Sequence, residues 1–250
     1  MEACQELINV AAELGRQLLC NGAEIYRVEE SVSRLLDAYG GTGCAVFAIP
    51  SYLVITVKDE NGRPMTTSVR VKQGATDLRR IDTLNHLCRQ VCRERPALAR
   101  VTEELARIES RPGYPAWLTI LMTGVIGFGF TLFFGGDWAD AAGGALCGLI
   151  AGVFRWFFSR FPVNPYFANG IAAACLSAFA LLYVRCGLAA HADRMTIGAL
   201  MNLVPGVALT NGIRDVIGGD LIAGLLRQAE ALMTALVLAL GVGLSMMCFS

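Results

Sequence analysis

Hydrophobic positions follow two different patterns along this 250-residue chain. Up to about residue 116, apolar residues recur every three or four positions or alternate with polar ones, as in amphipathic helices and half-buried strands. From residue 117 onward they form long runs, and crossing a bilayer takes about 20 helical residues. The pattern therefore predicts a soluble domain, residues 1–116, followed by a transmembrane domain, residues 117–250.

The soluble part predicts seven elements in the order αα-βββ-αα, a small α+β domain. Helical spacing and β-branched alternation distinguish the helices from the strands. In order, the predicted elements are helices at 2–20 and 24–39, strands at 44–49, 52–58 and 66–71, and helices at about 77–93 and 97–109. The segment Asp59-Glu60-Asn61-Gly62-Arg63 predicts a hairpin turn, because Asn-Gly tolerates the positive φ angles of a type I′ turn.

The second part predicts a membrane α-helical bundle of five transmembrane helices. The predicted spans are about 117–134, 139–157, 167–184, 196–213 and 221–249. In the second span, glycines at 144, 148 and 152 form one smooth face that suits close helix packing. The placement of Lys and Arg predicts a cytoplasmic N-terminal domain and an external C-terminus. The acidic, amphipathic start predicts no cleavable signal peptide.

Charge and cysteine content exclude several functional classes. Residues 1–116 hold 15 of the 21 Lys and Arg and 15 of the 21 Asp and Glu, and the formal net charge is zero, so nucleic acid is not an expected partner. The chain has neither a P-loop nor a G-x-S-x-G motif, so no enzyme activity is expected. Nine scattered cysteines predict reduced thiols. His86, Cys88 and Cys92 lack a fourth ligand, so neither a metal nor another cofactor is expected.

The fourth predicted span carries a Pro-Gly pair at its centre. Proline removes one backbone donor and clashes with the carbonyl four residues earlier, here that of Met201. Broken helices with polar groups at mid-membrane are where secondary transporters tend to bind substrates. The predicted substrate path is lined by Asn202, Pro205, Gly206, Asn211 and Arg214.

Charged residues follow this break. Asp215, Asp220 and Glu230 are candidates for carrying a coupled proton, because burial can raise the pKa of a carboxyl. Arg227 and Glu230 lie three residues apart on one helix face and form a candidate ion pair. On sequence alone, this pair can lie either at the membrane interface or on the transport path.

A charge-dense motif, Gly22-Ala23-Glu24-Ile25-Tyr26-Arg27-Val28-Glu29-Glu30, opens the second predicted helix. One interpretation is a salt-bridged helix start with Glu24 in the first turn, where a carboxylate is stabilised by unpaired amides. The other is a gate or docking element, carried by Glu24 and Arg27, that faces the membrane domain. Both interpretations stay open on sequence alone.

Four motifs together resemble the threonine/serine exporter family. They are G-A-E-I-Y-R-V-E-E at 22–30, R-P-G-Y-P-A-W-L at 111–118, N-P-Y-F-A at 164–168, and L-V-P-G-V-A-L-T-N-G-I-R-D-V-I-G-G-D-L-I-A-G-L-L-R-Q-A-E at 203–230. The resemblance implies a multi-pass protein of the bacterial cytoplasmic membrane that exports threonine and serine by the proton-motive force. Five-span members resemble the larger subunit of a two-component succinate exporter. This implies as partner a second small multi-span membrane protein of the same family, or a second copy of the chain.

Two functional hypotheses follow from these observations. The first is one half of an exporter of small polar carboxylates embedded in the lipid bilayer, with threonine and serine as first substrates and succinate as the alternative. Such substrates carry a carboxylate that helix amides and Arg214 can bind. The second is a membrane-anchored sensory or scaffolding module. An anchor needs neither a Pro-Gly pair within a span nor amides beside it, so the sequence favours transport.

Overall fold

The computed structural model describes residues 2–59, 61–72, 74 and 76–249. The chain forms two compact units. The first consists of the residues up to Pro112 together with Val207–Gln228, and the second of Gly113–Gly206 together with the chain from Ala229 onward. A segment from the apolar half of the sequence thus belongs to the same unit as the N-terminal residues. The predicted division at 116/117 stays a prediction.

The order of elements in the N-terminal part agrees with the predicted αα-βββ-αα arrangement. These elements are α1 (Glu2–Cys20), α2 (Ile25–Ala38), β1 (Thr42–Ile49), β2 (Tyr52–Lys58), β3 (Pro64–Arg70), α3 (Leu78–Glu94) and α4 (Leu98–Glu109). The later helices are α5 (Ala116–Phe133), α6 (Trp138–Phe158), α7 (Pro165–Arg185), α8 (Ala192–Leu200), α9 (Gly206–Gly218) and α10 (Leu221–Phe249).

The three strands form an antiparallel sheet in the order β1-β2-β3. Ile49 pairs with Tyr52 across a two-residue turn, and Lys58 pairs with Pro64 across the second hairpin. Gly62 has a φ of +76° in this second turn, as its Asn-Gly sequence predicts. Glu60, which belongs to the predicted turn, lies outside the described residues.

Large aliphatic side chains form the core of the first unit. Alternation along β2 buries Leu53, Ile55 and Val57 on one face of the sheet, where they join the apolar faces of the helices. Ala223, in the first turn of α10, belongs to the same buried cluster. The apolar start of α10 is therefore part of this core.

Small residues dominate the packing between α5 and α6 in the second unit. A Cβ added at Gly148 would lie 2.3 Å from the Thr123 carbonyl oxygen, and one at Gly144 would lie 2.0 Å from Thr131 Oγ1. Both distances are far below van der Waals contact, so only glycine permits this approach. The glycine face of the second predicted span is thus a packing face toward α5.

Within the described residues, four helices are long and apolar enough to cross a membrane, namely α5, α6, α7 and α10. The predicted fourth span, 196–213, is not one continuous helix. It is interrupted between Leu200, where α8 ends, and Gly206, where α9 begins. Five transmembrane helices stay a prediction, which already included a break at Pro205-Gly206, because proline prevents one helix from continuing through this segment. The interruption itself lies where the sequence predicts it.

Candidate functional site

The turn between α1 and α2 presents backbone groups for binding. Gly22 adopts a φ of +84°, which ends α1 in the left-handed conformation that glycine adopts without strain. The amides of Gly22 and Ala23 are bonded back to the carbonyls of Leu19 and Leu18, both at 3.0 Å. The carbonyls of Gly22 and Ala23 and the amide of Ile25 are instead bonded by side chains of α9 and α10.

Glycines bring α9 and α10 into close antiparallel contact within the first unit. Gly219 has a φ of +101° and reverses the chain between the two helices. A Cβ added at Gly224 would lie 2.7 Å from the Gly212 carbonyl oxygen and 2.4 Å from Val216 Cγ2. This close crossing brings Asp215 of α9 to Arg227 of α10.

Four side chains of the α9–α10 hairpin hold the α1–α2 turn, and we call Asn211, Arg214, Asp215 and Arg227 the docking cluster. Asp215 Oδ1 accepts from the Ile25 amide at 3.4 Å, and Asp215 Oδ2 lies 3.3 Å from Arg227 Nε. Arg227 Nη2 donates to the Ala23 carbonyl at 2.5 Å. Asn211 Nδ2 donates to the Gly22 carbonyl at 3.5 Å. The hairpin is therefore fastened to the turn by polar contacts to both its donors and its acceptors.

Glu24 connects the docking cluster to α2. Its carboxylate pairs with Arg214 and, at 2.7 Å, with Arg27 Nε. The prediction that Glu24 lies in the first helical turn is wrong: Glu24 occupies the N-cap position of α2, and its side chain makes no capping bond. Two guanidinium groups hold the carboxylate instead, because charge-assisted pairs are stronger than bonds to neutral amides.

The buried charges of this cluster compensate one another. Asp215 is fully buried, and Arg227 is 6% exposed. Burial raises the pKa of Asp215; Arg227 and the Ile25 amide oppose this effect, while Asp220 and Glu24 reinforce it. Removing either member of such a pair leaves an uncompensated charge, which is strongly destabilising. Asp220 lies at the turn, where its amide donates to the Asp215 carbonyl at 2.9 Å.

The predicted path residues fall into different units. Asn202, Pro205 and Gly206 belong to the second unit, whereas Asn211 and Arg214 belong to the first together with Asp215, Asp220 and Arg227. Arg227 is buried against Asp215, an arrangement that neither interpretation of the sequence contained. Glu230 is exposed on α10. Its pairing with Arg227 stays a prediction.

The helix interruption in the second unit is held by polar contacts to neighbouring helices. Asn202 Nδ2 donates to the carbonyls of Thr123 on α5, at 3.1 Å, and of Ala199, at 3.2 Å. Arg155 Nη1 on α6 donates to the Asn202 carbonyl at 3.5 Å. A carbonyl within the interruption is therefore bound by a cationic side chain. Arg155 is not among the site residues predicted from the sequence, although a charge inside a predicted span is itself a signal of function.

A second buried carboxylate, Asp140, lies in the second unit. It is fully buried near the start of α6 and accepts from the amides of Asp137, Ala190 and His191 at 3.1, 3.0 and 3.0 Å. The Ala190 and His191 amides bond Oδ1, whereas the Asp137 amide bonds Oδ2, which also lies 2.8 Å from His191 Nδ1. Asp140 thus fastens the start of α6 to the start of α8. The spacing Asp137-x-x-Asp140 was an unused signal, since it resembles a capping box.

Among the described residues, no three side chains of His, Cys, Asp or Glu come together as possible metal ligands. The nine cysteines are free thiols, and those at 88 and 147 are buried. Burial raises the pKa of Cys88 to about 12, so this thiol stays protonated.

Comparison with known proteins decides the family. The profile of the ThrE family, described as a threonine/serine exporter, matches residues 9–249. The chain belongs to this family. It is therefore a membrane transport protein and not an enzyme, and its apolar helices agree with that assignment.

Two bacterial relatives match over most of their own length, and both are named "Probable succinate transporter subunit YjjP". The protein from Klebsiella aerogenes is 26% identical over 233 residues, covering 92% of this chain and 88% of that protein. The protein from Escherichia coli K12 is 23% identical over 243 residues, covering 96% of this chain and 94% of that protein.

A fungal relative is much longer than this chain. "Uncharacterized protein C16A10.01" from Schizosaccharomyces pombe is 26% identical over 239 residues, covering 90% of this chain, but the chain spans only 28% of that protein's length. No solved structure matches this chain.

Proposed function

We propose that this chain is one subunit of a secondary transporter that exports small polar carboxylates across the bacterial cytoplasmic membrane, driven by the proton-motive force. The observation that carries the proposal is the helix interruption before Gly206, where Arg155 contacts the Asn202 carbonyl. Irregular backbone within a membrane persists only where protein or a water-filled cavity satisfies its polar groups. Such interruptions are where secondary transporters bind substrates.

The proposed topology has five crossings, of which the fourth is interrupted. α8 has 9 residues and α9 has 13. At about 1.5 Å per residue, each is shorter than the hydrocarbon thickness of about 30 Å, so neither crosses alone. Residues 192–213 in series supply the length of one crossing. Residues 1–116 form the soluble domain and 117–250 the membrane domain in this proposal.

The proposed orientation places the N-terminal domain in the cytoplasm and the C-terminus outside. The Lys and Arg bias of the loops supports this orientation. The docking cluster supports it as well. Arg214 follows the fourth predicted span, which ends on the cytoplasmic side if the chain starts there, and it pairs with Glu24 of the N-terminal part. Both sets of residues then lie on the same side of the membrane.

For substrate binding, we assign the interruption at Asn202, Pro205 and Gly206, with Arg155 as the cation that receives the carboxylate. A guanidinium can bind a carboxylate through two parallel hydrogen bonds. Asn211 and Arg214 are proposed to act on the cytoplasmic side, where the Glu24 carboxylate held by Arg214 has the chemistry of the substrate's own carboxylate. A substrate that displaces Glu24 from Arg214 loosens the hold on the α1–α2 turn.

For proton coupling, Asp215 is the leading candidate. It is fully buried, and burial raises its pKa, which brings its protonation closer to cytoplasmic pH. The buried position thus holds the proton more tightly than a solvated one, so proton uptake favours the docked arrangement and proton release favours loosening of the docking cluster. Asp220 and Glu230 are the further candidates.

The comparisons support two candidate substrate classes. The family description supports threonine and serine. Succinate is the second candidate, because both relatives matched over most of their length are named as succinate transporter subunits. The same names support a partner subunit, which we propose to be a second small membrane protein of the same family, with a second copy of this chain as the alternative.

The test is efflux of labelled threonine, serine and succinate from proteoliposomes that contain this chain with and without the candidate partner. Arg155→Gln is expected to slow efflux about tenfold or more, since it removes a charged hydrogen-bond donor. Arg160→Gln is the matched control, because Arg160 lies over the Trp156 ring at 3.9 Å and away from the interruption. Efflux at the unmodified rate in Arg155→Gln contradicts the site. No efflux of any substrate in either preparation contradicts transport and favours the scaffolding role.

A further inference from the structure

A cationic cavity lies between α2 and α3 in the first unit. Its volume is about 510 Å³, within the range of small-molecule sites. Four arginines line it, Arg27 and Arg34 from α2 and Arg89 and Arg93 from α3, and among the described residues Glu30 is the one acidic side chain in the lining. The cavity therefore carries an excess of positive charge that an anion can neutralise.

The arginines of each helix are spaced so that they lie on one face of it, and the two faces line the same cavity. Arg89 and Arg93 lie four residues apart, one turn of α3, so their side chains project from the same face. Arg27 and Arg34 lie seven residues apart, two turns of α2. Two helices thus each contribute two guanidinium groups to one cavity, an arrangement that can reach several oxygens of one ligand.

These arginines differ in whether they already form ion pairs with acidic residues of the chain. Glu30 lies 2.6 Å from Arg34, and Glu94 lies 2.9 Å from Arg93. Among the described residues, no ion pair involves Arg89. Arg89 is therefore the cation most available to a ligand.

We propose that this cavity binds a small multivalent anion, a polycarboxylate or a phosphate compound. Several guanidinium groups around one ligand favour more than one negative charge, because each adds a charge-assisted bond. Ser31 and Asn85 also line the cavity and supply neutral hydrogen-bonding groups. Nothing in the proposed transport path uses this cavity, so the site is separate from substrate translocation.

The cavity is connected to the docking cluster through one carboxylate. Glu24 pairs with Arg27, which lines the cavity, and with Arg214 of the docking cluster. An anion that binds Arg27 competes with Glu24 and leaves that carboxylate to Arg214 alone. Anion binding therefore strengthens the hold of α9 on the α1–α2 turn. The effect of anion binding on transport rests on the proposed function, whereas anion binding in the cavity does not depend on it.

The test is calorimetric titration of the purified full-length chain in detergent with pyrophosphate, citrate, succinate and acetate. Saturable binding is expected for at least one multivalent anion, about tenfold or more tighter than for acetate. Comparing pyrophosphate with citrate distinguishes a phosphate ligand from a carboxylate ligand. Arg89→Gln and Arg34→Gln are each expected to weaken binding at least about threefold.

Two further variants complete this test. Arg63→Gln, in the exposed β2–β3 turn, is the matched control and is expected to leave the affinity unchanged. Glu24→Gln is expected to tighten binding, because it removes the internal competitor for Arg27. The proposal is overturned if none of the multivalent anions saturates, or if Arg89→Gln, verified as folded by circular dichroism, binds like the unmodified chain. Either result leaves the efflux test of the proposed function untouched.

Discussion

Among the described residues, each compact unit contains one fully buried aspartate, and the two carboxylates are bound by different groups. Asp215 in the first unit faces a buried guanidinium and one backbone amide. Asp140 in the second unit faces three backbone amides and an imidazole. A carboxylate held by amides needs no buried cation beside it, which suits a unit built from apolar helices. A carboxylate held by an arginine depends on both charges being present.

The packing of apolar residues also differs between the two units. The first unit has a core of large aliphatic side chains, whereas the second relies on glycine and other small residues where α5 meets α6. Large side chains can adjust to a neighbour, but a glycine against a backbone carbonyl has no room to adjust. Perturbations are therefore expected to act through charge in the first unit and through volume in the second.

The largest effect is expected from breaking the charged pair. Arg227→Met leaves Asp215 buried without its cation and is expected to lower the free energy of unfolding by about 3–5 kcal/mol. Thermal unfolding of the detergent-solubilised chain measures the change, with Arg63→Met as an exposed control. The double variant with Asp215→Asn is expected to recover part of the loss. A double variant as unstable as Arg227→Met means that charge is not the cause.

Volume in the second unit is the next target. Gly148→Val places a side chain against the Thr123 carbonyl and is expected to destabilise by about 1–3 kcal/mol, since a backbone atom cannot move aside easily. Gly129→Val on α5 is the matched control, because a Cβ there meets nothing within 4 Å. Equal melting temperatures for the two variants contradict the proposed packing face.

A smaller effect is expected at the second aspartate. His191→Ala removes the imidazole partner of Asp140, but the backbone amides of Asp137, Ala190 and residue 191 remain, so the expected loss is about 1 kcal/mol. Asp140→Ala, which removes all these bonds together, is the comparison and is expected to lose more. If both variants unfold at the same temperature, the amides do not hold this carboxylate as described.

The smallest effect is a dependence on pH. Because burial raises the pKa of Asp215, the folded chain binds this proton more tightly than the unfolded chain. The resulting stabilisation is complete below the unfolded pKa of about 3.9 and is lost as the pH rises through the higher folded pKa. Unfolding of the unmodified chain and of Asp215→Asn is measured from about pH 4 upward. The difference is expected to shift in favour of the variant as pH rises, and a constant difference contradicts the raised pKa.

Local patterns predicted the elements well, and distant partners poorly. Alternation along 52–58 predicted β2 to the residue, and Pro205 predicted the interruption that separates α8 from α9. The spacing of apolar residues along the chain identifies each element and the face that it buries. The same spacing does not show which distant residue packs against that face.

The missed contacts illustrate this limit. Glu24 and Arg214 are 190 residues apart in sequence, and Asp140 and His191 are 51 apart. Both pairs depend on how whole helices pack, which no local spacing encodes. The motifs around Glu24 and Arg214 were each singled out from the sequence, yet only the structure joins them.

The glycine crossing of α9 and α10 also restricts how this sequence can drift over evolutionary time. Any side chain at Gly224 meets Val216 and the Gly212 carbonyl, so a replacement there separates the two oppositely charged residues beside it. Gly218, in contrast, has nothing within 4 Å of an added Cβ. Homologous chains that keep the charged pair are expected to keep glycine at 224 and to vary freely at 218, a contrast that a collection of their sequences can reveal.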